Sequence, residues 1–180
     1  MSEITGDHAA PSQPRVAPVY TLFAAFRVSS THPLVVDGRD VPGLVQELED
    51  VAEMLANEDV TLRGWYDVSG MHHDADLLVW LHGDAAEDLQ WGIRELRRTA
   101  VLRPLIRVSS ALGLHTGAHT QASLDAQAHQ WLTVVQRGPL DIEIYEADEL
   151  TDLAPQLHGV TEQFRTGRFI EPVEIIEVLQ

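Results

Sequence analysis

The chain has 180 residues, of which 28 are acidic and 12 basic, for a net charge of −16. A polypeptide this acidic repels nucleic acid and anionic membrane surfaces, because phosphate binding needs positive charge to displace counterions. The absence of cysteine excludes disulfides, zinc–thiolate and iron–sulfur centres and thiol catalysis. With no lysine either, Schiff-base chemistry and a phosphate-loop lysine are excluded, and all positive charge is arginine, which suits fixed ion pairs and carboxylate clamps.

Residues 1–17 mix Pro, Ser, Ala and charge, and read as a disordered leader. They show no basic start followed by an apolar stretch, and no run of 18 apolar residues follows anywhere, so neither a secretory signal nor a membrane span is expected and a cytoplasmic location is. "VYTLFAAFRV" (19–28) is a continuous apolar run, too short for an ordinary helix and suited to a buried central strand. Asp40 is the expected N-cap of a helix with Pro42 in its first turn, and Leu44, Val45, Leu48, Val51, Met54 and Leu55 fall on one helical face.

The stretch "LRGWYDVSGMHHDADLLVWLHG" (62–83) reads as strand, polar turn, strand. In "GDAAEDLQWGIRELRRTA" Asp84 is the expected N-cap, acids occupy the first turn, and Arg94, Arg97 and Arg98 lie toward the end, complementing the helix dipole. "PLIRVSSALGLH" (104–115) is a further strand. Residues 19–115 therefore read β-α-β-β-α-β, a ferredoxin-like antiparallel sheet with both helices on one face, in the α+β class. The remainder is less regular. Two short strands flank "RGP" (137–139) as a hairpin. A helical stretch is broken by Pro155 and Gly159. "GRFIEPVEIIEVL" closes as a strand-like tail confined to an edge by Pro172.

Taken together, "YTLFAAFRV", the 62–83 stretch, "ELRRT", "VSSALGLH", and near the other end "YEADEL" and "FRTGRFIE" resemble the actinobacterial coproheme decarboxylase branch of the chlorite dismutase-like family. The resemblance covers about residues 18–117 and 141–171. It implies two fused ferredoxin-like domains of the dimeric α+β barrel type, with haem or coproporphyrin haem in the second, between its sheet and helices. It also implies an axial histidine in a His-Gly context on the second domain's first helix, a tyrosine in that domain's first strand and, in the actinobacterial proteins, a distal histidine. The chain departs from this pattern. Between Gly117 and Asp141 there are too few residues for that helix and the strand after it, no His-Gly pair stands there, and "WLTVVQR" has no tyrosine. The expected organisation is a leader (1–17), a complete ferredoxin-like domain (18–117) and a reduced second α+β half (118–180).

Candidate residues follow. If haem or a related porphyrin binds, the replacement ligands are His119, at the position that resembles the distal one, then His158 and His115. His115 and His119 form H-x3-H, which would share a helical face, although Gly117 between them disfavours a helix. His72 and His73, with Asp74 and Asp76, are the metal candidates. On a strand adjacent side chains point apart, and only in a turn would both reach one ion, so the plainer reading is a solvated hairpin turn. No catalytic residue stands out. Arg94, Arg97 and Arg98 would clamp carboxylates or simply pair with neighbouring acids, and Trp65, Trp80, Trp91 and Trp131 read as packing residues. Two functions result: a haem-family oxidoreductase-like protein with a degenerate site, without coproheme decarboxylase activity, or a non-catalytic module that kept the fold and lost the cofactor. A homo-oligomer is expected to cover apolar residues of the reduced half, including Trp131, Leu132, Val134, Ile142, Ile144, Ile175 and Ile176. No nucleic-acid or membrane partner is expected, and a porphyrin or another small molecule is the ligand class.

Overall fold

The computed structural model describes residues 19–115, 127–160 and 164–180. The first half forms β1 (Val19–Arg27), α1 (Val41–Ala56), β2 (Val60–Asp67), β3 (Leu77–Gly83), α2 (Ala86–Leu96) and β4 (Ile106–His115). These are the expected elements in the expected order, and all their strand pairs are antiparallel. β1 reads as an unbroken apolar run because it is buried on both faces. Leu22, Ala24 and Phe26 meet the helices, and Phe23 and Ala25 face the other way. Asp40 occupies the N-cap of α1, but its side chain makes no capping bond. α2 starts one residue later than expected, with Ala85 rather than Asp84 at the N-cap, while Glu87 and Asp88 still favour the dipole's positive end.

The second half contributes β5 (Trp131–Gly138), β6 (Asp141–Ala147), α3 (Leu150–Leu153), β7 (Phe164–Ile170) and α4 (Pro172–Leu179). The "RGP" hairpin forms as expected, with Leu140 in a left-handed conformation (φ 63°) at its tip. The closing tail is a correction. Residues 172–179 are a helix, and β7 is no edge strand, since it lies between β2 and β5. Pro172 opens the helix, Glu171 and Glu174 form a reciprocal capping box, and Ile175, Ile176 and Leu179 share one buried face. α4 packs beside α1 and over β2 and β3, so it extends the helix layer of the first half.

The seven strands of the described residues belong to one sheet, in the order β4-β1-β3-β2-β7-β5-β6. The sheet curls until β6 meets β4. Leu114 N–H donates to the Leu140 carbonyl at 3.2 Å, within an isolated parallel bridge between Gly113 and Leu140. The sense of that bridge follows from counting. With each neighbour antiparallel and seven strands in the sheet, the first and last strands run the same way. Gly113 permits the approach, because a Cβ there would sit 3.0 Å from the side chains of both Ile142 and Thr21.

Two cores result. One lies between the sheet and α1, α2 and α4. The other fills the inside of the curl, where Phe23, Tyr66, Leu78, Trp80, Leu132 and Val134 meet. Much of the apolar surface of the reduced half is thereby covered within the chain, while Trp131 stays half-buried. Leu132 and Val134 are inside the curl, Ile142 and Ile144 pack against that interior, and Ile175 and Ile176 lie on the buried face of α4. No helix among the described residues is long and apolar enough to cross a membrane.

Candidate functional site

The turn between β2 and β3 is folded back on the sheet rather than extended into solvent. Asp76 starts this: its carboxylate accepts from Val28 N–H at 2.7 Å, and its own N–H donates to the Phe26 carbonyl at 2.8 Å. The turn is thereby drawn across the end of β7. There Asp74 receives a two-pronged pair from Arg165 (2.9 and 2.8 Å), and His72 Nε2 accepts from Thr166 N–H at 2.9 Å. Arg165 also donates to Ser109 Oγ at 3.2 Å, which ties β4 into the same cluster.

The electrostatics match these bonds. The Arg165 guanidinium lowers the Asp74 carboxyl to about 2. Burial, reinforced by the adjacent Arg165, holds His72 below its ordinary value, which keeps Nε2 free of a proton and able to accept. His73 is exposed. Of the residues singled out as metal candidates, His72 and Asp74 thus act as a latch between the β2–β3 turn and β7. Among the described residues no group of three or more His, Asp or Glu side chains could hold a metal ion.

His115 ends β4 opposite Val19, on a strand rather than a helix. His119 lies outside the described residues. His158 is exposed in the turns after α3, and its N–H donates to the Pro155 carbonyl. His129 pairs with Asp148 at 3.0 Å, and both side chains are largely in solvent.

The family resemblance puts a porphyrin on the face of the second half that lies across from the curl's interior. β5 passes through the turn at Gly138–Leu140 straight into β6, with no helix or strand between them. On this face Thr133 and Val135 are buried, Thr133 Oγ1 is hydrogen-bonded to Thr166 Oγ1 at 2.8 Å, and the four-residue α3 packs against β6. Tyr145, opposite Thr133, donates to Glu143 at 2.6 Å, and Arg137 pairs with the same carboxylate at 2.7 Å. Arg137 lowers the Glu143 pKa, and the bond to Glu143 raises that of Tyr145. β5, β6 and β7 contain no histidine. The described strands of this face thus offer no imidazole as an axial ligand for a haem iron.

Sequence reasoning missed Arg165 and Tyr145. Alternation in "FRTGRFI" held the signal for the first: with Phe169 and Gly167 turned toward the interior, Arg165 two residues earlier turns the same way. Nothing in the sequence marked Tyr145, because its role depends on the register with β5.

Comparison with known proteins agrees with this architecture. A sequence model described as Chlorite dismutase matches residues 43–137. The coproheme decarboxylase of Mycolicibacterium smegmatis is 32% identical over 105 residues, which are 58% of this chain and 44% of that protein. The chain thus spans less than half the length of that relative. Among solved structures, a mutant chlorite dismutase from Candidatus Nitrospira defluvii in complex with cyanide superposes with a TM-score of 0.70 at 15% identity, over 90% of this chain and 95% of that one. The imidazole complex of the chlorite dismutase from the same organism gives 0.68 at 17% identity, over the same shares. At these identities the structural likeness shows the fold.

Proposed function

The chain belongs to the chlorite dismutase family, and within that family we propose that it is a non-catalytic member, one that keeps the curled sheet and has a degenerate haem site. One observation carries this reading: β5 passes through a tight turn directly into β6, whereas the family resemblance asks for a helix with the axial histidine and a further strand between Gly117 and Asp141. The absence of histidine from β5, β6 and β7 and the exposure of His158 support it. The competing reading, a porphyrin-binding oxidoreductase-like protein, draws on the family likeness and would rely on His119, His158 or His115.

Titration of the purified protein with haem and with coproporphyrin haem, followed by absorption, separates the two. The expected outcome is a broad, unsaturable signal, with no conversion of coproporphyrin haem by peroxide. A sharp Soret band saturating at one equivalent, lost on His119→Ala or His158→Ala, would overturn the proposal. A homo-oligomer belongs to the same proposal through the edge of β4, which among the described residues pairs only with β1 apart from the contact at Gly113. Light scattering at micromolar concentration reads the assembly state directly.

A further inference from the structure

The inside of the curl is filled mainly by apolar side chains, and it opens beside the β5–β6 hairpin. A cavity of about 70 Å³ opens there. Its floor is apolar: Phe23, Leu78 and Val134 are only 2%, 2% and 6% exposed. Its rim is polar and comes from three different strands, Ser109 of β4, Gln136 of β5 and Arg165 of β7. The mouth lies where the bonding of β4 across the curl stops: among the described residues the bridge is at Gly113 and Leu114 donates to Leu140, and the ladder does not continue along the earlier part of β4.

Arg165 is the unusual member. Its side chain is only 12% exposed, and it is fixed in place by Asp74 and Ser109. Those bonds engage three of the five guanidinium N–H groups, one to each Asp74 oxygen and one to Ser109. Asp74 does not line the cavity, and at 38% exposure its charge is better screened by water than that of Arg165. Toward the cavity the pair therefore presents a positive, preorganised donor. No acidic residue lines the cavity, which disfavours a cation.

We propose that this cavity binds a short-chain monocarboxylate, with the carboxylate held by Arg165, Ser109 and Gln136 and the alkyl tail resting on Phe23, Leu78 and Val134. Size and polarity select this class. At roughly 10–15 Å³ for each water-sized group, the space takes about five to seven such groups, too few for a porphyrin or a nucleotide. A sulfate or phosphate ion would turn oxygens toward the apolar floor with nothing to bond them. A carboxylate with a tail fills both halves of the cavity. The site lies on the other side of the sheet from the face that would seat haem, so it stands or falls independently of the haem titration.

The test is a nitrogen–proton NMR titration of the whole chain with sodium propionate, with sodium sulfate and propionamide as comparison probes. Saturable shifts are expected at the Gln136 side-chain amide and the Arg165 Nε–H, with a Kd tighter than about 10 mM and at least about tenfold weaker binding of either comparison probe. Ala111→Leu, which fills the cavity from β4, should abolish the shifts, and Ser109→Ala should weaken them without disturbing the Asp74–Arg165 pair. Equal binding of propionamide or sulfate would overturn the proposal, and so would shifts that fail to saturate. If Ala111→Leu does not fold, Ser109→Ala decides: unchanged propionate affinity in that variant would also overturn the proposal.

Discussion

The strands β2 and β7 approach so closely that one position accepts only glycine. A Cβ on Gly167 would lie 2.8 Å from Tyr66 Cβ and 2.9 Å from Val68 Cγ1, and both of those atoms sit close to a buried backbone that cannot yield. Gly167→Ala should therefore cost about 2 kcal/mol or more in chemical denaturation, an overpacking penalty that arises without strain in the backbone. His72 gives a different residue-level expectation. Its folded pKa lies below the ordinary 6.5, because burial and Arg165 outweigh the attraction of Asp74, with His73 adding to the depression. The folded state then binds fewer protons than the unfolded chain. The His72 contribution to stability is complete above 6.5 and is lost as pH falls from there toward the folded value. The thermal midpoint should fall between about pH 7.5 and pH 5.5, and His72→Gln, which keeps an acceptor and does not titrate, should flatten that slope. An unchanged slope in the variant would assign it to another group. The histidine pair was legible in the sequence as a turn, but its partner Thr166 is 94 residues away and the partner atom is a backbone N–H, which no side-chain pattern announces.

At the scale of elements, the sequence was informative where period and punctuation agreed. The six elements of the first half follow from the apolar run at 19–28, the helical spacing at 44–55 and the acidic and basic ends of residues 86–96. The tail was misread because "PVEIIEVL" satisfies two templates. Alternation suggests a strand, whereas Ile175, Ile176 and Leu179 mark a helical face, and the decision comes from the Glu171–Glu174 capping box together with the space beside α1. Glu174 also pairs with Arg168 at 3.3 Å, and the Glu171 N–H lowers its pKa. Glu174→Ala should cost about 1 kcal/mol through the lost cap, read from the urea midpoint at neutral pH. A variant as stable as the parent would show that burial of the isoleucines alone holds α4. The reduced candidate site was legible as a shortage of residues between Gly117 and Asp141. How the shortage is absorbed was not: the β5–β6 hairpin and the continuous sheet depend on pairings between distant strands.

At the scale of the whole molecule, the parity of the sheet has a dynamic consequence. An even number of alternating strands brings the two rims together head to tail, where a full antiparallel ladder can zip them. Here the rims run the same way and share one bridge, while the interior strands β1 and β3 are laced to neighbours on both sides. The curl is then a split ring, and its slit should breathe far more often than its wall. Hydrogen exchange should find the Leu114 amide, the donor across the slit, opening well before the amides of Val79 and Leu81 in β3, with a free energy below that of global unfolding. Gly113→Val would wedge the slit apart against Ile142 and speed exchange at Leu114 further. Such breathing would widen the way into the curl's interior, so a molecule that fills that interior should slow the opening of a seam it does not touch.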